Sequence, residues 1–221
     1  MINWLEVNTV LLDMDGTLLD LQFDNYFWQI LIPQRYADKN GLQLQDVKAY
    51  LQPIFKAQEG RLNWYCLDYW SDVLGFDVAE LKCESQDRIQ VLPHTRAFLS
   101  ALQASGKRCI LVTNAHVDSL VLKLKKTGLV EFFDAIVSAH DFGYAKEHQN
   151  FWIAFQRLEK FDVLKTLMVD DSLSVLKAAE KYGVRHLLAI AHPDSGESPR
   201  EIKGFSSVHH LGEINLSASY P

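Results

Sequence analysis

Residues 10 to 20 read "VLLDMDGTLLD", and this stretch decides the interpretation of the chain. It opens on an apolar run that is typical of a strand buried on both faces of a sheet. The run ends at two carboxylates, Asp13 and Asp15, which are followed by Gly16. Side chains two residues apart on an extended chain lie on the same side. We therefore expect a buried strand that delivers two carboxylates to one edge of a sheet.

Four further apolar runs are predicted strands. They are "RCILVT" from Arg108, "DAIVS" from Asp134, "TLMVDD" from Thr166 and "HLLAIA" from His186. The segments between them, which include "HVDSLVLKLKKTG" and "SLSVLKAAEKYG", have helical spacing. Strands that alternate with helices predict an α/β fold with a doubly wound, mostly parallel sheet.

Two of these helices carry more detailed predictions. In "HVDSLVLKLKKTG", Leu120, Val121 and Leu124 are predicted on one apolar face, with the lysines opposite. In "SLSVLKAAEKYG", Ser172 is predicted to cap the helix N-terminus. Gly128 and Gly183 are predicted to end the two helices.

The chain between the first and second strands is predicted to be helical. Residues 20–88 contain amphipathic segments, among them "DNYFWQILIPQRYADKNG", "LQDVKAYLQPIFKAQEG" and "LNWYCLDYWSDVLG". This excursion is far longer than an ordinary crossover between parallel strands. We therefore expect an α/β core at residues 1–19 and 89–221 with an inserted helical cap subdomain at residues 20–88. "LPHTRAFLSALQASG", from Leu92, is the predicted core helix that leads into the second strand.

The composition limits the classes of partner. The chain has 221 residues, 48% of them hydrophobic, and a net charge of −6. This charge disfavours binding to nucleic acid through its phosphates, and no apolar run is long enough to span a membrane. Widely spaced Cys66, Cys83 and Cys109 suit a reducing compartment, and no signal peptide is visible. We expect a cytoplasmic protein that binds neither nucleic acid nor membrane; its oligomeric state stays open.

Polar residues follow the predicted strands. They are Asp13 and Asp15 after the first strand, Thr113 and Asn114 after the second, Lys146 beyond the third, and Asp170 and Asp171 after the fourth. In an open α/β sheet, ligands bind beyond the carboxyl ends of the strands. Carboxylates gathered there would repel one another unless a cation neutralised them. A hard divalent ion, Mg²⁺, suits oxygen ligands beside a phosphate.

These residues resemble a known set of motifs. "DMDGTLLD", "LVTN", Lys146 and "VDDS" resemble, in order, the four motifs of the haloacid dehalogenase (HAD) superfamily. The resemblance covers the Rossmann-like core from about residue 8 to 191, and the helical insert resembles a cap of that superfamily. "LLDMDGTLLDL", "LNWYCLDYWS" and "TNAH" are further similar to the bacterial GMP/IMP nucleotidase group. Glu147 departs from the pattern, because a proline often follows the motif lysine.

The resemblance implies a phosphatase mechanism. Asp13 would attack phosphorus to form an aspartyl-phosphate, and Asp15 would act as general acid and then as general base. Dehalogenases lack the second aspartate, so Asp15 favours phosphate esters as substrates. The implied substrates are purine 5′-monophosphates, IMP and GMP. A sugar-phosphate or phosphoglycolate phosphatase, a phosphomutase and a non-catalytic binding module are the alternatives.

The resemblance also implies ligand sets. Mg²⁺ would be held by Asp13, by the main-chain carbonyl of Asp15 and by Asp171, with Asp170 as a further ligand or a neighbour of one. The phosphoryl oxygens would be held by Thr113, the Asn114 backbone N–H and Lys146.

Substrate choice is assigned to the helical insert. The candidate residues there are Asn25, Tyr26, Arg61, Asn63, Trp64, Tyr65 and Tyr69. Tyr65 and Tyr69 are predicted on one helical face because they are four residues apart. His116 is placed either near the substrate or at the surface. The histidines show no metal-ligand spacing in the sequence, and the cysteines are expected to be buried small hydrophobic residues.

Overall fold

The computed structural model describes residues 2–216 and places a parallel β-sheet at the centre of the protein. The strands are β1 (Thr9–Leu12), β2 (Arg108–Thr113), β3 (Ala135–Ser138), β4 (Thr166–Asp170), β5 (His186–Ile190) and β6 (Ser207–Val208). Their order across the sheet is β3-β2-β1-β4-β5-β6, and every neighbouring pair is parallel. The predicted α/β fold is confirmed.

β6 is the strand that the sequence did not predict. It pairs with β5 through Ala189↔Ser207 and Ile190↔Val208. A strand of two residues is too short to produce a pattern of alternation or an apolar run. Its place at the sheet edge depends on the exposed backbone of β5, which local sequence does not reveal.

The chain is helical between β1 and β2, as predicted. The helices are α1 (Gln22–Tyr26), a π-helical turn (Phe27–Leu31), α2 (Ile32–Asn40), α3 (Leu44–Lys56), α4 (Leu62–Tyr65), α5 (Leu67–Leu74) and α6 (Val78–Glu84). They enclose an apolar cluster of their own that includes Phe27, Val47 and Trp70. The predicted division at residues 19/20 and 88/89 stays a prediction.

One predicted helix is broken. Cys66 has extended backbone angles, φ −86° and ψ 112°, and separates α4 from α5. The prediction that Tyr65 and Tyr69 share a helical face is therefore wrong. Cys66 instead caps α5, because its sulfur accepts a hydrogen bond from the Tyr69 N–H.

The helical segment enters and leaves the core through adjacent backbone. Leu19 forms isolated β-bridges with Asp15 on one side and Val91 on the other. The Asp20 N–H donates to the Gln90 carbonyl at 2.9 Å, and the Leu92 N–H donates to the Leu18 carbonyl at 2.9 Å. The two crossings therefore form a narrow antiparallel ribbon beside the end of β1.

The remaining helices cover both faces of the sheet. They are α7 (Thr95–Ala104), α8 (Val117–Thr127), α9 (Gln149–Leu158) and α10 (Leu173–Tyr182). Val10 and Leu12 of β1 lie in one apolar cluster with α7 and α8, whereas Leu11 lies in a second cluster with α9 and α10. This alternation explains the continuous apolar run, because both faces of β1 are buried.

Two details of these helices differ from the predictions. In α8, Val121 is exposed, while Lys123 is buried on the face that carries Leu120. Ser172 occupies the N-cap position of α10, but its side chain makes no capping hydrogen bond. Its hydroxyl pairs with Ser174, and its backbone N–H donates to Asp170.

The cysteines occupy three different environments. Cys109 is buried in β2, Cys66 is half-buried and Cys83 is exposed on α6. The expectation of three buried cysteines is wrong, because Cys83 lies on the exposed side of α6 and Cys66 is only partly covered at the start of α5. No helix within residues 2–216 is long and apolar enough to cross a lipid bilayer.

Candidate active site

The ends of β1 and β4 form the centre of the candidate site. β1 lies between β2 and β4 in the sheet. From β1 the chain proceeds outward to β2 and β3 on one side, and it then returns to β4 and β5 on the other side, so the direction of strand addition reverses between β1 and β4. Ligands of open α/β sheets bind at this kind of reversal. Asp13 follows β1 directly, and its N–H donates to Val169 at 3.0 Å. Asp170 ends β4 beside it.

Lys146 joins these two strand ends. Its Nζ donates to Asp13 Oδ1 at 2.5 Å, to Asp170 Oδ2 at 2.8 Å and to the Val112 carbonyl at 3.0 Å. The side chain is buried. Burial acts to lower the pKa of Lys146, but the two carboxylates outweigh this effect and raise the pKa above its ordinary value. The ammonium group is therefore charged and fixed in place.

Three carboxylates are clustered beside this lysine. Asp13, Asp170 and Asp171 each offer an oxygen, and these atoms lie within 4.8 Å of one another. Burial raises the pKa of Asp13 to about 7, with Asp170 adding to the rise and Lys146 opposing it. Burial and Asp13 likewise raise the pKa of Asp171 to about 7. Buried, mutually repelling oxygen ligands of this kind fit a hard cation such as Mg²⁺.

The two aspartates after β4 have different surroundings. Asp170 has both carboxylate oxygens in protein hydrogen bonds, one with Lys146 and the other with the Ser172 N–H at 2.9 Å. Asp171 Oδ2 lies 3.6 Å from Arg200 Nη2, a looser contact. Asp171 is therefore the freer of the two to ligate a metal, and Asp170 is suited to hold Lys146.

Gly16 allows the turn after Asp15 to pack against Asp171. Its φ is +83°, in the left-handed region that favours glycine. A Cβ at this position would lie 2.8 Å from Asp171 Cγ and 2.9 Å from Pro193 Cβ. A side chain at Gly16 would therefore meet two obstacles, the left-handed backbone and the lack of space beside Asp171.

Asp15 is held by a buried chain of charges. Lys123 Nζ donates to Asp15 Oδ1 at 2.7 Å and to Asp24 Oδ2 at 2.6 Å. Lys82 Nζ donates to the other oxygen of Asp24 at 2.7 Å. Burial would raise the pKa of Asp24, but Lys123 and Lys82 lower it to about 2. Burial and Asp24 raise the pKa of Asp15, which Lys123 opposes.

The loops after β2 and β3 are braced against the helical segment. Asn114 Oδ1 accepts from the Lys146 N–H at 2.8 Å, and its Nδ2 donates to Glu147 Oε2 at 3.0 Å. The Tyr65 hydroxyl donates to Glu147 Oε1 at 2.8 Å. Thr113 Oγ1 accepts from the Ala115 N–H at 3.0 Å. One chain of contacts therefore runs from Tyr65 to the loop predicted to bind phosphate.

The structure separates the candidate specificity residues. Tyr65 is the one that reaches the motif residues through Glu147. Asn25 instead donates to Asp194 Oδ2 at 2.6 Å. The other five candidates make contacts elsewhere in the helical segment or none with the site. Tyr26 stacks on Arg88, the Trp64 carbonyl accepts from the Trp70 indole, and Tyr69 packs edge-on against Trp70. Arg61 and Asn63 are exposed.

Sequence reasoning missed Lys123, Asp24 and Glu147 as members of the site. Lys123 has a signal in the sequence, because it lies three residues after Leu120 and so shares its buried face. Glu147 stands out in the sequence only because it occupies the position after the motif lysine, where a proline is common. Its hydrogen-bond partners, Asn114 and Tyr65, lie 33 and 82 residues away in the chain. Asp24 has no comparable signal.

Comparisons with known proteins agree with this geometry. The haloacid dehalogenase-like hydrolase family matches residues 7–183. The chain is 45% identical over 208 residues to the GMP/IMP nucleotidase YrfG of Escherichia coli (strain K12). The aligned residues cover 94% of this chain and 94% of that protein.

Solved structures share the fold. A HAD phosphatase from Thermococcus onnurineus has a TM-score of 0.77 at 23% identity and covers 94% of this chain and 95% of its own. The magnesium-bound HAD-hydrolase YfnB from Bacillus subtilis has a TM-score of 0.65 at 22% identity, with 94% and 96% coverage. The resemblance predicted from the motifs is confirmed, and the protein is an enzyme of the hydrolase class. The chain belongs to the haloacid dehalogenase-like hydrolase family.

Proposed function

We propose that this protein is a Mg²⁺-dependent phosphomonoester hydrolase that acts on purine 5′-monophosphates in the cytoplasm. The observation that carries the proposal is the pairing of buried Asp13 with Lys146, with Asp15 two residues along the chain. This arrangement supplies a fixed carboxylate, a permanent positive charge and a second carboxylate at one strand end.

The two aspartates after β1 divide the chemistry. Asp13 attacks phosphorus through a carboxylate oxygen, and the bond from phosphorus to the ester oxygen breaks. Asp15 gives a proton to the departing oxygen, which is otherwise a poor leaving group. In the second half, Asp15 takes a proton from a water that attacks phosphorus, and the bond from phosphorus to the Asp13 oxygen breaks. Inorganic phosphate leaves, and the Asp13 carboxylate is regenerated.

The remaining residues stabilise charge on the phosphoryl group. The Thr113 hydroxyl, the Asn114 N–H and Lys146 would contact its oxygens. Asp13, the Asp15 carbonyl and Asp171 would hold Mg²⁺, while Asp170 holds Lys146. When bound, Mg²⁺ offsets the negative charge of the phosphate and the aspartates. Hydrolases of this superfamily generally use Mg²⁺, and the fold relative YfnB is described with magnesium bound.

The substrate assignment has a separate basis. The 45% identical relative is named a GMP/IMP nucleotidase, and its similarity spans nearly the whole chain. We assign the contact with the nucleoside to residues 20–88, as a cap over the strand ends. Tyr65 is the favoured contact residue, because it reaches Glu147 and Asn114 from the helical segment.

A phosphate-release panel tests this function. IMP, GMP, other nucleoside monophosphates, sugar phosphates and phosphoglycolate are compared with Mg²⁺ and then with EDTA. We expect Mg²⁺-dependent release that is fastest with IMP and GMP. A preference for the sugar phosphates would overturn the substrate while leaving the mechanism intact. No release from any ester, or release unaffected by EDTA, would overturn the phosphatase itself.

The Asp13→Asn variant tests the nucleophile. We expect no measurable phosphate release from this variant, because an amide does not attack phosphorus. Its circular dichroism spectrum should match that of the unaltered protein, since Asn has the same size as Asp. Activity close to that of the unaltered protein would remove Asp13 from the role of nucleophile.

A further inference from the structure

A second set of metal-ligating side chains lies apart from the carboxylate cluster. Cys66, His116 and His140 each offer one ligand atom, and these atoms lie within 4.8 Å of one another. Cys66 begins α5 in the helical segment, His116 begins α8, and His140 lies in the turn after β3. Thiolate and imidazole are the donors that Zn²⁺ prefers, in contrast to the oxygen ligands that suit Mg²⁺.

His116 has a carboxylate beside each of its ring nitrogens. The Asp118 N–H donates to its Nδ1 at 3.4 Å, and the Asp118 carboxylate lies 3.5 Å from the same nitrogen. Its other nitrogen, Nε2, lies 3.5 Å from Asp68 Oδ2. Metal-ligating histidines usually have a carboxylate or carbonyl at the nitrogen away from the metal. Whichever ring nitrogen of His116 faces the ion, the other nitrogen therefore has a carboxylate beside it.

His140 has a ring nitrogen ready to accept a metal. Its Nε2 is buried and has no hydrogen-bond partner among residues 2–216. Burial and the neighbouring His116 lower the pKa of His140 to about 4, despite a hydrogen bond with the backbone of Asn114. The ring is therefore neutral at physiological pH. A buried, unpaired nitrogen is costly, and a bound cation would remove that cost.

The two imidazoles have the spacing that one metal ion requires. Their ring centres are 5.0 Å apart, and the ring planes are inclined at 84°. Two imidazoles on one tetrahedral zinc ion have their ring centres about 5 Å apart, given zinc–nitrogen bonds of about 2 Å. Cys66 Sγ accepts from the Tyr69 N–H at 3.5 Å, so the start of α5 holds the sulfur in this cluster.

We propose that Cys66, His116 and His140 bind Zn²⁺. On binding, the Cys66 thiol releases its proton to solvent, and each neutral imidazole ligates through an unprotonated ring nitrogen. The ion connects α5 to the loops after β2 and β3, next to Tyr65 and Asn114. The proposal is independent of the phosphatase reaction, because none of its ligands has been assigned to that chemistry.

Cobalt titration tests the site spectroscopically. Co²⁺ is added to the metal-free full chain in excess Mg²⁺, which occupies oxygen-ligand sites. A near-ultraviolet thiolate-to-cobalt band should saturate at one equivalent and disappear when Zn²⁺ is added.

Three variants identify the ligands of the cobalt ion. Cys83→Ser is the matched control and should keep the band, because Cys83 is exposed on α6. Cys66→Ser should lose it, and His140→Ala should weaken binding about tenfold or more. Absence of the band in the unaltered protein, or its survival in Cys66→Ser, would overturn the proposal.

A labelling experiment on the unaltered protein covers the possibility that a variant fails to fold. Alkylation of each cysteine is followed by mass spectrometry with and without Zn²⁺, again in excess Mg²⁺. Zn²⁺ should slow the labelling of Cys66 about tenfold or more, because a zinc-bound thiolate is shielded. The labelling of Cys83 should not change. Equal labelling of Cys66 with and without Zn²⁺ would contradict the site.

Discussion

Lys123 Nζ lies 2.7 Å from Asp15 Oδ1, although the two residues are 108 positions apart in the chain. The same ammonium group contacts Asp24 of α1, which in turn contacts Lys82 of α6. Two cations and two anions therefore alternate in a buried chain. They connect the proposed acid–base residue directly to the helical segment.

Replacement of Lys123 should destabilise the protein strongly. Lys123→Met removes the cation between the two aspartates and leaves Asp15 without its buried partner, while Asp24 keeps Lys82. We expect the free energy of unfolding to fall by about 3–5 kcal/mol, measured by urea denaturation. Lys126→Met is the matched control on the same helix, because Lys126 pairs with Asp87 at the surface. That control should change the free energy of unfolding far less, because the pair is exposed to solvent. Equal effects of the two changes would contradict the prediction.

Removal of the Tyr65 hydroxyl should impair catalysis while leaving the fold intact. Tyr65→Phe removes the donor to Glu147 and loosens the support of Asn114. We expect kcat/KM for the best phosphate ester to fall about tenfold, mostly through KM, since a hydrogen bond to a charged acceptor is lost. Tyr69→Phe is the control, because the Tyr69 ring packs edge-on against Trp70. A change confined to kcat would argue against a positioning role.

Gly16→Ala should disturb the candidate metal site. Its new Cβ would press on the Asp171 carboxylate, so the Mg²⁺ concentration for half-maximal activity should rise about tenfold or more. Gly106→Ala is the control, because Gly106 has φ +68° and a Cβ added there would meet no atom within 4 Å. That change should cost about 1–2 kcal/mol of backbone strain without altering the Mg²⁺ dependence. An unchanged Mg²⁺ requirement in Gly16→Ala would refute this contact.

The cysteines should differ in thiol reactivity. Burial, with Asp134 adding to it, raises the pKa of Cys109 to about 12. At about pH 8 almost none of Cys109 is thiolate, so alkylation should reach Cys83 first and Cys109 after unfolding in urea. As the pH rises toward about 9, Cys109 should stay unlabelled in the folded protein, because burial keeps its thiol protonated. Mass spectrometry of digested, alkylated protein measures this order, and rapid labelling of native Cys109 would disprove it.

The sequence is informative where the signal is local or repeated. Buried parallel strands give continuous apolar runs in the sequence. Runs of this kind, such as the one that contains Val10 and Leu11 in β1, are sufficient to predict β1 to β5. The joint order of polar residues at strand ends predicts that Asp13, Lys146 and Asp170 lie together, as the structure finds. The chemical roles of these residues stay predictions.

The sequence is less informative where distant partners decide the outcome. The pattern of α8 predicts a solvated face for Lys123, because a lysine in isolation favours water, but Asp15 and Asp24 compensate its charge inside the protein. The break at Cys66 is likewise set by tertiary contacts, since "LNWYCLDYWSDVLG" has helical spacing throughout. The histidine and cysteine cluster joins residues that are 50 and 24 positions apart, which no spacing rule detects.

The paired crossings at Leu19 and Val91 also bear on how this enzyme could diverge. Because the helical segment leaves and rejoins the chain at neighbouring points, its length or content can change without moving β1. Evolution can therefore exchange the segment to which we assign substrate choice while retaining the aspartates proposed to act on the phosphate ester. The chain of charges from Asp15 to Lys82 limits this freedom, since a replacement segment must supply a new partner for Lys123.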